Sequence, residues 1–245
     1  MNHAPASSNE PTSTLAASVR PPRLDVVGPV HKAIRLAMAE LLVRMGQTDF
    51  GDEAQASGIA EALRGLLAYC EAHLRHEDGI VAPFAKTRLP GGLAAFDDHR
   101  EHEVRIAELR AQAEALVAER PELRARVGHA LYLHFTVFVG ENLAHMAEEE
   151  RVVMPLLQRF FDDGELRELH GRVLAAVTPA ERAYSAQFLY RALSGPERRG
   201  LVASAAASMP LEAVLGLLEA NRGAVPADEH YELVQLARET AGVAS

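Results

Sequence analysis

The sequence contains a near-duplication, HLRHEDGIVAP at 73–83 and HMAEEERVVMP at 145–155, at an offset of 72 residues. In each copy a histidine is followed four positions later by a glutamate: His73 with Glu77, and His145 with Glu149. Four residues advance about 400° along an α-helix, so the side chains of each couple end about 40° apart, one turn above the other. Both members of a couple can therefore reach one metal centre. His31 precedes His102 by 71 residues, nearly the same offset, so each half of the repeat offers one histidine and then a His/Glu couple. The arrangement implies a pseudo-twofold site of imidazoles and carboxylates. Such donors suit iron, manganese or zinc, and two carboxylates able to bridge favour a dinuclear centre over a single ion.

The neighbouring residues divide less sharply. His99 and His102 are three apart and both near the inner face of their helix; either or both can ligate, and the repeat offset favours His102. Tyr69 and Glu141 each stand one turn before a candidate ligand, where they can hydrogen-bond to it or line an access channel. Ordinary core packing for Tyr69 and a surface position for Glu141 fit the same spacing. His134 lies about 16 Å along the helix from His145, too far for the same ion, and is expected in the core or a pocket. His76 and Glu148 point about 60° away from the site couples and read as solvent-facing groups or as groups behind the ligands. Pro83 and Pro155 are expected to interrupt or end their helices. The alternative to a metal is a buried network of His–Glu ion pairs, which would require complete hydrogen-bond pairing of every buried polar group.

Helical periodicity supplies the elements that carry these residues. His31, Ile34, Met38, Leu41 and Met45 draw one stripe from Pro29 to about Met45. A second helix runs from about Asp52 to Lys86, with Leu66, Tyr69, His73, Glu77, Ile80 and Phe84 on one face, and stops at Leu89-Pro90-Gly91-Gly92. A third runs from about Leu93 to Glu119 with His99, His102, Ile106, Leu109, Ala113 and Leu116 in register. A fourth runs from Pro121 to Phe161, with His134, Phe138, Glu141, His145, Glu149, Val152 and Leu156 inward. No alternating β-branched run stands out, so the fold class is all-α: an up-down-up-down four-helix bundle with additional C-terminal helices. Thr178 with Glu181 and Ser194 with Glu197 have capping-box spacing, and Pro210 and Pro226 open two further helices. The expected division is a flexible arm over 1–24, the bundle over 25–162 and a helical extension over 163–245, which packs on the bundle or on a second subunit.

Composition narrows the function classes. Hydrophobic residues make up 48% and charged residues 24%, a balance suited to a folded water-soluble chain. Lys and Arg total 25 against 34 Asp and Glu, a net charge of −9, and with no basic tract the attraction to phosphate backbones is missing. No nucleic-acid partner is expected. The start of the chain lacks an export signal and no stretch is long and apolar enough for a membrane span, so a cytoplasmic location is expected. The single cysteine, Cys70, excludes an intrachain disulfide or a multi-cysteine metal site and reads as a small packing residue. Of the 11 histidines, eight fall between His31 and His145.

A histidine on the first helix, H-x-x-x-E on the second, a histidine on the third and H-x-x-x-E on the fourth resemble the hemerythrin-like, or HHE cation-binding, family over about residues 28–161. The resemblance implies a non-haem di-iron centre, two Fe ions, with Glu77 and Glu149 bridging and His31, His73, His102 and His145 as terminal ligands. It also implies binding of O2 or NO at an open iron position. Invertebrate oxygen carriers of the family differ: their third helix pairs two histidines four apart, and their last acid is an Asp five residues after its His. The paired H-x-x-x-E is more similar to bacterial and regulatory members, whose implied roles are O2, NO or iron sensing, peroxide handling and iron–sulfur repair. Three readings follow: a di-iron binder or sensor, an oxidase, peroxidase or repair enzyme on the same centre, or a helical adaptor with a structural metal. A protein partner or a homodimer through the C-terminal helices belongs with the last. A ferritin-like ferroxidase fits less well, because its Glu-x-x-His motif has the opposite order and a shorter step.

Overall fold

The computed structural model describes residues 23–89 and 99–242, and all the regular structure among them is helical. Helix α1 spans Gly28–Gly46 and α2 spans Glu53–His76. A π-helical turn, Glu77–Val81, then leads directly into α3, Ala82–Lys86. Helix α4 is described from His99 to Ala118. After α5, Pro121–Glu148, a second π turn, Glu149–Val153, leads into α6, Met154–Phe160. The C-terminal helices are α7 (Asp163–Ala176), α8 (Pro179–Ala186), α9 (Leu189–Ala192), α10 (Gly195–Ser208), α11 (Leu211–Ala220) and α12 (Ala227–Thr240).

Local chemistry sets the helix boundaries. Pro29 and Pro121 occupy first-turn positions, where a missing N–H is harmless, and the Asp52 side chain caps α2 by accepting from the Gln55 N–H at 2.9 Å. Thr178 and Glu181 exchange both bonds of a capping box, and at α10 the Glu197 carboxylate accepts the Ser194 N–H at 2.8 Å. Pro210 and Pro226 immediately precede α11 and α12. The expected start of the third helix at Leu93 and the turn after Leu89 lie outside the described residues.

Four long helices close a ring: α1 packs on α2 and α5, and α4 packs on the same two. Every residue of the stripes expected on the first and third helices is buried; on α1 Gly28, Ala33 and Ala37 are buried beside it. Between the four helices sit Ile34, Met38, Leu63, Leu66, Ile106 and Phe135, all fully buried. Each contributes roughly 1.5–3 kcal/mol relative to exposure. Close approach matters at one glycine: a Cβ on Gly128 of α5 would overlap the Phe50 ring from the α1–α2 connection.

The stripes of the second and fourth helices change register at the π turns. Regular periodicity carries the inward face from Glu77 to Ile80 and Phe84, and from Glu149 to Val152 and Leu156. Instead Val81 and Ala85, and Val153 and Leu157, are the buried residues. Each π turn inserts one residue into the helix, its N–H bond closing five residues back, from Ala82 to Glu77 O and from Met154 to Glu149 O. The same turn absorbs the prolines. Pro83 and Pro155 fall in the first turn of the helix that resumes, so neither ends it.

Val81, Val153 and Leu157 continue the hydrophobic interior beyond the site, together with Val27 and with Leu166 and Leu169 of α7. This core crosses the boundary expected at residue 162. Of the expected N-terminal arm, residues 1–22 lie outside the described residues, while Arg23 bonds to the Phe161 carbonyl and Leu24 accepts from Gln158. Helices α9 to α12 build a separate apolar cluster around Tyr190, Val202, Val214, Leu218 and Leu233. Tyr184 and Phe188 fasten this region to the bundle core.

Candidate metal centre

Six side chains from four helices converge in the middle of the ring. His31, His73, Glu77 and Glu149 each bring one donor atom into a group within 4.8 Å of one another, and Glu77, His99, His145 and Glu149 form a second such group. The two groups share both glutamates. Glu77 turns Oε1 toward His73 Nε2 at 3.2 Å and Oε2 toward His99 Nε2 at 3.7 Å. Glu149 turns Oε2 toward His31 Nε2 at 3.3 Å and His145 Nε2 at 3.6 Å, and Oε1 toward His99 Nε2 at 3.8 Å. Glu77 thus offers one oxygen to each pair of imidazoles, while Glu149 turns Oε2 toward one member of each pair and Oε1 toward His99. The histidine pairs match in shape, both edge-to-face with ring centres 5.0 Å apart.

Two acids outside the cluster hold its outer histidines. Glu150 Oε1 lies 3.0 Å from His31 Nδ1, and Asp78 Oδ1 lies 2.7 Å from His99 Nδ1. A carboxylate on Nδ1 fixes the ring and leaves Nε2 aimed at the centre. Both acids directly follow a shared glutamate, so the step of about 100° from one residue to the next turns them toward a neighbouring helix. This is a second layer of the duplication. The Arg35 guanidinium, 2.6 Å from Glu150 Oε1, anchors the acid behind His31.

Electrostatics separate the six groups. Burial disfavours a charge on His31, but the carboxylates of Glu149, Glu150 and Glu77 overcome it and hold its pKa well above the usual histidine range. His99 follows the same balance, burial against Glu149, Glu77 and Asp78, and rises to about 9. Burial and the charge on His31 push His73 well below the usual range. Burial also takes His145 down to about 4, with Glu149 opposing it. Burial lifts Glu77 to about 7, helped by Glu149, while His31 and His99 keep Glu149 ionised in spite of its own burial.

Glu77 is 2% exposed and Glu149 1% exposed, yet none of their four carboxylate oxygens accepts a hydrogen bond of good geometry among the described residues. His145 Nε2 is in the same condition. A hydrogen-bonded ion-pair network would satisfy these atoms; cations between the two groups satisfy them together. The donor set therefore fits a pair of ions.

Other sequence-based expectations meet the structure unevenly. His99 belongs to the cluster and His102 does not: it lies beside it, buried, with its ring 4.7 Å from that of His145. The offset of 71 from His31 pointed to His102, but the centre lies level with the preceding turn of α4. Tyr69 is buried near the site and donates to Ser185 Oγ at 2.9 Å. Glu141 is not in contact with the site; it is half-exposed and faces Arg105 at 3.5 Å. His134, expected inside, is exposed and pairs with Gln112. Both deviations have one cause: the buried face of α5 runs through Leu131, Phe135, Phe138, Asn142 and His145, so Glu141 and His134 flank it. Cys70 is buried, and burial raises its thiol to about 12, as suits a packing residue.

An all-α bundle with two imidazole pairs sharing two glutamates defines a class of cation-binding helical proteins. The model of the hemerythrin HHE cation binding domain matches residues 24–157, more than half of the sequence, and the chain belongs to that family. No curated protein and no solved structure matches it. No helix among the described residues is long and apolar enough to cross a membrane.

Proposed function

We propose that the chain is a cytoplasmic non-haem di-iron protein that binds or senses O2, NO or peroxide. The observation that supports this reading above all others is the sharing of Glu77 and Glu149 by two histidine pairs, each with its own acid behind it. His31 and His73 would hold one ion, His99 and His145 the other, with both glutamates common to the two. Iron at this donor set supplies an electron source and a Lewis acid for a small diatomic ligand.

The protein's own groups prepare the site for that ligand. Glu150 and Asp78 keep His31 and His99 in the tautomer that presents Nε2. Val81 and Val153, four residues beyond Glu77 and Glu149, are buried and apolar, which favours uncharged diatomics over anions on that side of the site. The test is an anaerobic titration of the iron(II)-loaded chain with NO and, separately, with O2. A saturable change in the visible spectrum with either gas, or with added hydrogen peroxide, supports the reading; iron-loaded protein indifferent to all three overturns it.

A further inference from the structure

A cavity of about 330 Å³ lies between α2 and the C-terminal helices. Its inner wall includes Ala72, His73 and Glu77, so it ends on two groups of the candidate centre. Its outer wall includes Leu174 of α7 and Ala186 of α8, both exposed. One partly open space therefore runs from the surface to the centre. His73 stands where it ends, and its side chain, 10% exposed, is the most accessible of the six in the cluster; that of His145, its counterpart in the repeat, is 5% exposed. Helices α7 and α8 lie beyond the residues that the family model matches, so the outer wall is an addition to the matched domain.

Polar contacts fix α8 at its distance from α2. Tyr69 donates to Ser185 Oγ at 2.9 Å, and Glu181 faces Arg75 at 3.3 Å and His76 at 3.7 Å. Arg182 donates to the Leu174 carbonyl at 2.6 Å, so these charged groups are engaged within the protein. His170 also lines the cavity, and burial lowers its pKa, which leaves it neutral at pH 7. Toward the centre the wall is apolar, with Val27, Ala72 and Val81 all buried. A passage with apolar walls and engaged charges admits small uncharged molecules more readily than ions, which would lose their hydration in it.

We propose that this cavity is the entry route to the candidate centre, and that Leu174 and Ala186 at its outer end limit what enters to small uncharged molecules. The identity of the entering molecule, O2 or NO, rests on the di-iron reading, whereas the route itself does not depend on metal.

Diethyl pyrocarbonate, a small uncharged reagent that acylates neutral imidazole, tests the route without metal. In the metal-free full chain at pH 7, followed by peptide mass spectrometry, His73 reacts at least about tenfold faster than His145, although burial keeps both rings neutral. Ala186→Trp and Leu174→Trp, which narrow the outer end, slow the labelling of His73 at least about fivefold and leave that of the exposed His134 unchanged. Circular dichroism checks that both variants keep the helicity of the parent. In the iron(II)-loaded chain the same two variants slow NO association and dissociation by a common factor, as measured by stopped flow, and leave the equilibrium affinity as it is. Equal labelling of His73 and His145, or folded variants that label His73 or take up NO at the parent's rate, overturns the route. An iron-loaded parent that binds no NO counts against the gas reading, while the labelling still decides the route.

Discussion

Loading the centre with two divalent ions displaces protons, and their number follows from what holds each group in the metal-free protein. Only neutral imidazole and ionised carboxylate ligate. At pH 7, His73 and His145 are already neutral and Glu149 is already ionised. His31, held well above the usual range by Glu149, Glu150 and Glu77 against its burial, carries a proton that must leave. So does His99, at about 9, and Glu77, at about 7, is half protonated. Full loading therefore releases about 2.5 protons per chain at pH 7, and the logarithm of the apparent affinity for the pair of ions climbs about 2.5 per pH unit there. Isothermal titration of metal-free chain with zinc, in two buffers of different ionisation heat, measures the release directly. Fewer than about one proton per chain would refute the reasoning, because it would mean that neither His31 nor His99 surrenders its proton to a metal.

Further consequences concern individual residues. His99→Ala reduces the metal content to about one ion per chain and His102→Ala leaves about two, since only His99 stands in the cluster; equal losses in the two variants would contradict the assignment. Asp78→Asn and Glu150→Gln weaken metal affinity about 10–100-fold without loss of helicity, as measured by competition with a coloured chelator and by circular dichroism. Gly128→Ala destabilises the bundle by about 1–3 kcal/mol through overlap with the Phe50 ring. The gain in helix propensity offsets part of that, and an unchanged or higher midpoint in thermal unfolding would contradict the packing argument.

The sequence was most legible where one helix acts alone. The stripes through His31 and Met38, and through His99 and Leu109, follow a period of 3.6 residues and are the buried faces of α1 and α4. The couples His73 with Glu77 and His145 with Glu149 also need only one turn of regular helix. Legibility ended at the π turns, where one inserted residue moves the inward face from Ile80 to Val81 and from Val152 to Val153. The signal was the repeated acid-acid step, Glu77-Asp78 and Glu149-Glu150, whose second member points off the stripe on a helical wheel. Asp78 and Glu150 become meaningful only once α4 and α1 are placed beside them. His99 against His102 depended on the axial level of α4, which spacing within one helix does not encode. The cavity at His73 was hidden for the same reason, since its walls come from segments more than a hundred residues apart.

The central claim is that Glu77 and Glu149 are shared between two ions. Elemental analysis of the chain, produced with iron and purified without chelators or a metal-affinity column, tests it most directly, with Glu77→Gln and Glu149→Gln measured alongside. The expected result is about two irons per folded parent chain and a loss of both ions in each variant, because each glutamate serves both histidine pairs. A folded parent chain without metal, or variants that still hold two irons, would contradict it.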